Sequence, residues 1–196
     1  MKGTEASHAH PSTAPGPGVY HLDPEATEIT FATRHLFGLL PVRGSFALVS
    51  GEVRVAEPST DSTVDVVIRA ASVDTGVPPR DDKVRSAVYL DVAAHPEISF
   101  RARSVERSHD GTHVPGELTV RGVTRPTVLT LTFLAAEGST LRARAEATVD
   151  RYAFGLTREK GMTGRYFHLA IEVTATRDLK GGVAHLDRGQ ARRRAR

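Results

Sequence analysis

The 196-residue sequence has no cysteine and no tryptophan. Without cysteine there is no disulfide framework, no thiolate metal site and no thiol nucleophile. Lysine is nearly missing, with four against 22 arginines, and aromatic residues make up only 6%. No apolar run approaches the roughly 18 residues of a transmembrane helix. The longest near-apolar stretch, 36–42, is short and contains a proline. The motifs G-x-S-x-G and H-E-x-x-H and a Walker-type phosphate loop are all missing, which leaves serine-hydrolase, zinc-peptidase and nucleotide chemistry without support. Asp81 and Asp82 are adjacent and would point to different faces of a helix, so they form no acid/base pair. The histidines are scattered, and no pair in the body has zinc-ligand spacing, so no metal is expected. The overall charge of +3 also needs dividing. Residues from 178 onward hold six basic and two acidic side chains, and the preceding 177 hold 20 and 21. The basic character thus belongs to the C-terminal tail, and the near-neutral body gives no reason to expect a specific nucleic-acid partner.

What is present divides into three segments. Residues 1–17 are polar and proline-rich and read as a disordered leader. They lack a basic start followed by an apolar run, so a secretory signal is not expected and the cytoplasm is the expected location. Residues 178–196 end in QARRRAR and read as a disordered basic tail, either simply solvated or making weak contact with an anionic surface. Between them, residues 18–177 form one domain of period-two segments. These are 27–34, 45–55, 62–70, 97–105, 112–121, 127–135, 140–149 and 165–176. Turn signals at Glu57-Pro58-Ser59, His109-Asp110-Gly111, Gly122 to Pro126 and Glu137-Gly138-Ser139 separate several of them. Ser50-Gly51 interrupts one alternation and reads as a bulge or a bend. Only Pro79 to Leu90 has helical spacing, with Val84, Ala87 and Val88 on one face. The expectation is an all-β, eight-stranded antiparallel structure with one short helix. Periodicity alone leaves a closed barrel and a sandwich both open.

The predicted inward faces mix large residues, Phe31, Phe46, Ile68, Phe100, Leu131, Phe133 and Leu169, with the small Ala143 and Ala145. Alanines on one strand face leave room for a ligand, or else pack against the phenylalanines in a filled core.

The body resembles the YceI-like family of lipocalin-like proteins. The resemblance rests on Gly18 to Pro24, Phe31-Ala32-Thr33-Arg34-His35, Gly44-Ser45-Phe46, Ser72 to Gly76, Arg80-Asp81, Arg85, Asp91, Pro96 to Phe100, Gly116 to Pro126 and Arg151 to Gly155. It implies a lipocalin-like eight-stranded barrel with an internal apolar pocket. It also implies an isoprenoid lipid as ligand, either a polyprenyl pyrophosphate or an isoprenoid quinone, with no other cofactor and no catalytic residue. The chain is then expected to act as a carrier or sequestering protein, with an enzyme of isoprenoid or quinone metabolism as the alternative. A homodimer is left open. The sequence departs from the family pattern at Ala26 and Lys83, where histidines are common, and at Val84. For a charged head group the candidates are Arg80, Lys83 and Arg85 near the helix, with His35 as a polar contact at the end of an apolar strand. Each basic residue has the alternative of pairing with Asp81, Asp82 or Asp91, and His35 that of a structural hydrogen bond.

Overall fold

The structure is a computed structural model that describes residues 14–35, 40–160 and 162–178, and of His35 only the backbone. Its strands are β1 (Gly18–Leu22), β2 (Glu28–His35), β3 (Leu40–Phe46), β4 (Leu48–Val55), β5 (Thr63–Arg69), β6 (Glu97–Ala102), β7 (Glu106–Ser108), β8 (Gly111–Val120), β9 (Val123–Glu137), β10 (Thr140–Asp150) and β11 (Tyr166–Arg177), with one helix, α1 (Pro78–Arg85). Strands β1, β4, β5, β6, β8, β9, β10 and β11 are hydrogen-bonded in that order, and β11 pairs back onto β1. The ring is therefore closed, eight-stranded and antiparallel, which decides for the barrel over the sandwich. Closure removes the sheet edges that would otherwise template aggregation.

The remaining strands extend this ring. Strand β2 pairs with β11 at residues 168–172, while β1 pairs with it at 175–177. Together β1 and β2 make one long strand, bent where the Asp23 carboxylate accepts hydrogen bonds from the Glu25 and Ala26 N–H groups. Likewise β3 and β4 make one strand interrupted at Ala47. A register slip is present between β4 and β5, but just before the expected Ser50-Gly51: Leu48 faces Ile68 and Ser50 faces Val67, so the extra residue is Val49, while Ser50 and Gly51 pair regularly. β7 is a short addition that pairs only with β8.

Two local expectations are corrected. The turn read at Gly122 to Pro126 is instead the dipeptide Arg121-Gly122, with Val120 paired directly to Val123. Both turn residues have positive φ, +51° and +71°, the geometry that matches strand twist in a two-residue hairpin. Pro126 then lies inside β9. It is tolerated because β10 pairs with β9 only from Thr130 on, so no second ladder needs its missing N–H. The helix expected over 79–90 stops at Arg85, where the extended Ser86 caps it. Ala87 and Val88 are not on a helical face, and Val88 is exposed.

Two phenylalanines pack over glycines on neighbouring strands. A Cβ at Gly44 would meet the Phe31 ring at 2.5 Å, and one at Gly116 would meet the Phe100 ring at 2.5 Å. The missing side chains make room for the rings against the neighbouring strands.

Candidate functional site

The barrel interior contains two chambers. The larger is about 810 Å³, within the roughly 300–1,000 Å³ usual for ligand pockets. The smaller is about 390 Å³. Ile29, Ile68, Leu118 and Leu169 belong to both walls, so the chambers meet end to end at a waist of branched aliphatic side chains. Along β11 the inward residues run Val173, Ile171, Leu169 in the larger chamber and then Leu169, Phe167 in the smaller one. The alternation in the sequence thus becomes a lengthwise lining.

The larger chamber is walled by Val, Leu and Ile with Phe100, Ala143 and Ala145. Pro15, Pro17, Glu57, Pro58 and Arg107 lie at its outer end, and Gly16 accepts a hydrogen bond from the Tyr20 hydroxyl at 2.8 Å. Residues 14–17, assigned to the leader by sequence, therefore have a place at this mouth. Thr27 is buried in the wall, and its hydroxyl has no partner among the described residues. A buried hydroxyl without a partner is costly, so Thr27 is the one unsatisfied polar point of the larger chamber among the described residues.

The smaller chamber is closed by α1, the turn Arg151–Phe154 and the segment after it. Phe31 contacts Phe46 and Phe167 there, with ring centroids 5.4 and 5.5 Å apart. Its end is polar. Glu159 pairs with Lys83 and accepts a hydrogen bond from the Tyr89 hydroxyl at 2.8 Å. Burial, with help from the Glu159 carboxylate, pushes the Tyr89 phenol up to about 12, although Arg151 and Arg158 pull the other way. The phenol is therefore a permanent donor at neutral pH. Arg80 donates to the hydroxyl and carbonyl of Thr75, and Thr75 donates to the buried Asp81 carboxylate. Arg151, also buried, donates to the carbonyls of Leu156, Thr163 and Gly164 and so holds the closing segment in place.

Most of the sequence candidates meet inside the barrel. Phe31, Phe46, Ile68, Leu169, Arg80 and Lys83 line the smaller chamber, and Ile68, Phe100, Leu131, Ala143, Ala145 and Leu169 line the larger. Two do not. Phe133 is on the outer wall, 45% exposed, beneath the Arg144 guanidinium. The cause is a bulge: Ala145 faces Leu131 while Arg144 faces Phe133, so β9 carries one extra residue and its alternation inverts. Arg85 lines neither chamber. Its guanidinium donates to the Ala71 and Val73 carbonyls and pairs with Asp82, so it anchors the helix. The side chain of His35 lies outside the described residues, as do residues 1–13 and 179–196 of the leader and tail.

A family model for the YceI-like domain matches residues 20–175. The chain belongs to the YceI-like family. A UPF0312 protein of Pectobacterium atrosepticum is 33% identical over 167 residues, covering 81% of this chain and 86% of the relative. Protein YceI of Salmonella arizonae is 31% identical over 163 residues, covering 79% and 84%. Among solved structures, Burkholderia cenocepacia BcnA superposes with a TM-score of 0.70 at 18% identity, covering 79% of this chain and 99% of that one. A polyisoprenoid-binding domain from Saccharophagus degradans superposes with a TM-score of 0.61 at 16% identity, covering 83% and 100%. These similarities agree with the closed barrel. Among the described residues no helix is long and apolar enough to cross a membrane.

Glu159, Tyr89 and Thr27 were not among the sequence candidates for this YceI-like site. Glu159 reaches Lys83 across 76 residues of sequence, and no local pattern encodes such a pairing. Arg151 was visible as part of the family-like run Arg151 to Gly155, but without a role.

Proposed function

We propose that this YceI-like protein holds an isoprenoid lipid along its two chambers, as a carrier or sequestering protein. One observation carries this reading. Apolar side chains line both chambers from end to end, and the charged groups collect at the outer limits. A space of that shape suits a long, flexible, branched hydrocarbon. Each buried CH₂ contributes about 0.8 kcal/mol, so one five-carbon isoprene unit contributes up to roughly 4 kcal/mol before the costs of binding. A few units then suffice for the roughly 8 kcal/mol of micromolar affinity. The solved neighbour from Saccharophagus degradans, described as a polyisoprenoid-binding domain, supports the same ligand class.

Head-group identity divides the class into a diphosphate and a quinone. Lys83 and Arg80 are engaged with Glu159 and Thr75, so a diphosphate would have to compete for them. Native mass spectrometry of the protein after bacterial expression tests the reading, with the expected result a co-purifying isoprenoid. A chain that never carries lipid, and takes up neither a prenyl diphosphate nor a prenyl quinone, would refute it. Chemical conversion of bound lipid would move the protein to the enzyme alternative.

A further inference from the structure

We propose that the segment closing the smaller chamber is a docking surface for an anionic lipid bilayer. The first observation is charge. Residues 151–166 hold Arg151, Arg158, Lys160 and Arg165 against the single acid Glu159; Arg151 is buried and serves the fold, while Arg158, Lys160 and Arg165 are exposed. Outside this segment residues 1–177 hold 16 basic and 20 acidic side chains, so this is a local concentration of positive charge in a slightly acidic body. The second is arrangement. Arg151, Lys160 and Arg165 all lie over the Tyr152 ring, at 4.8, 5.2 and 5.3 Å from its centroid. Arg165 also covers Tyr166 at 5.2 Å. Asp150 offsets part of the Arg165 charge, and Glu159 is occupied with Lys83 and Tyr89. Arg158 and Lys160 are exposed.

The third observation separates a bilayer from a nucleic acid. Met162 and Tyr166, in the same segment, are 43% and 49% exposed. Leu40 is also exposed, next to Pro41, which pairs with Arg34; the Arg34 carbonyl in turn accepts the Gly164 N–H. Basic side chains mixed with exposed methionine, leucine and tyrosine are the composition of an interfacial contact, where the charges meet head groups and the apolar groups enter the acyl boundary. A purely electrostatic phosphate-backbone contact would have no use for the apolar residues.

The inner side of this segment supplies Phe154, Leu156 and Thr163 to the smaller chamber. Docking would therefore press the closed end of the lipid space against the bilayer, a position for exchange that rests on the lipid-binding reading above. The last described residues lie at the other end. Strand β11 starts here at Tyr166 and runs twelve residues to Arg177 beside Gly18. At about 3.3 Å per residue the end of β11 lies roughly 35 Å away.

The test is co-sedimentation of the full chain with vesicles of phosphatidylcholine containing phosphatidylglycerol, and with phosphatidylcholine alone. An attraction of about 1 kcal/mol per basic side chain makes the double variant Arg158→Gln, Lys160→Gln bind the anionic vesicles about 25-fold more weakly. Its melting temperature and its co-purified lipid should be unchanged, and added salt should weaken the wild type. The companion Arg192→Gln, Arg193→Gln, Arg194→Gln should keep most of the binding. Equal binding of the double variant and the wild type, equal binding to both vesicles, or loss only in the tail variant would overturn the proposal. Binding to duplex DNA without binding to vesicles would do the same. Docking by a protein that neither co-purifies with an isoprenoid nor takes up a prenyl diphosphate or prenyl quinone would instead support the surface and sink the carrier reading.

Discussion

Ala145→Phe asks whether the barrel interior is room or core. Ala145 is buried on β10, opposite Leu131 on one side and Ile171 on the other, and faces the 810 Å³ chamber. In a filled core an added ring would overpack, at a cost of about 1–3 kcal/mol. Here it enters open space against aliphatic walls, where cavity filling contributes about 0.5–2 kcal/mol. For a domain of this size each kcal/mol moves the melting temperature by about 2–4 °C. The lipid-free variant should therefore melt at or a few degrees above the wild type, while losing the co-purified lipid in native mass spectra. Phe133→Ser, outside the barrel, is the control and should keep its lipid. If Ala145→Phe melts more than about 5 °C lower and still carries lipid, the chamber is not where the ligand sits and the reasoning fails.

Thr27→Val removes a buried hydroxyl that has no partner among the described residues. Chemical denaturation should show the variant equal to or more stable than the wild type, because an unmade hydrogen bond is lost rather than a made one. Arg85→Ala should cost about 1–3 kcal/mol in the same assay, since it strands the Ala71 and Val73 carbonyls, yet leave lipid content unchanged. Tyr89 titrates near 12 when folded against about 10 when unfolded. Its contribution to stability is complete below pH 10 and is lost as the pH rises towards 12. The steepest alkaline fall in melting temperature should therefore lie in that window and flatten in Tyr89→Phe. A phenolate absorbance titration should show a late Tyr89 transition in the wild type that is lost in Tyr89→Phe.

The barrel was legible because its strands obey a strict two-residue period. Val64, Val66 and Ile68 on β5, or Leu169, Ile171 and Val173 on β11, can all be buried in one direction only. The readings failed where one residue breaks the period. Phe133 continues the pattern of Leu129 and Leu131 by eye, but the bulge in β9 turns it outward. No composition signal marks that bulge, since Thr132 and Phe133 are both good strand residues. The helix was overextended for a related reason. Val84, Ala87 and Val88 satisfy the helical spacing, but Ser86 closes the helix by accepting an extended conformation that propensity does not forbid. Pro126 in turn looked like a turn residue because the one-sided pairing that tolerates it is a property of the sheet and not of its neighbours in sequence.

The charged end of the site separates local from long-range information most sharply. Arg80, Lys83 and Arg85 lie within one short segment and look like a basic cluster awaiting an anion. In the barrel each is directed by a different requirement. A short helix across the end of a barrel has few apolar contacts to hold it, so its polar side chains must. Arg85 ties it to the backbone at Ala71 and Val73, Arg80 to Thr75, and Lys83 to Glu159 on the segment from the far side of the ring. The cations are thus largely used in closing the chamber. The basic side chains that stay on the surface, Arg158 and Lys160, come from the segment opposite. The positive charge available to a partner therefore faces outward from the end of the barrel, while the interior behind it is left to hydrocarbon.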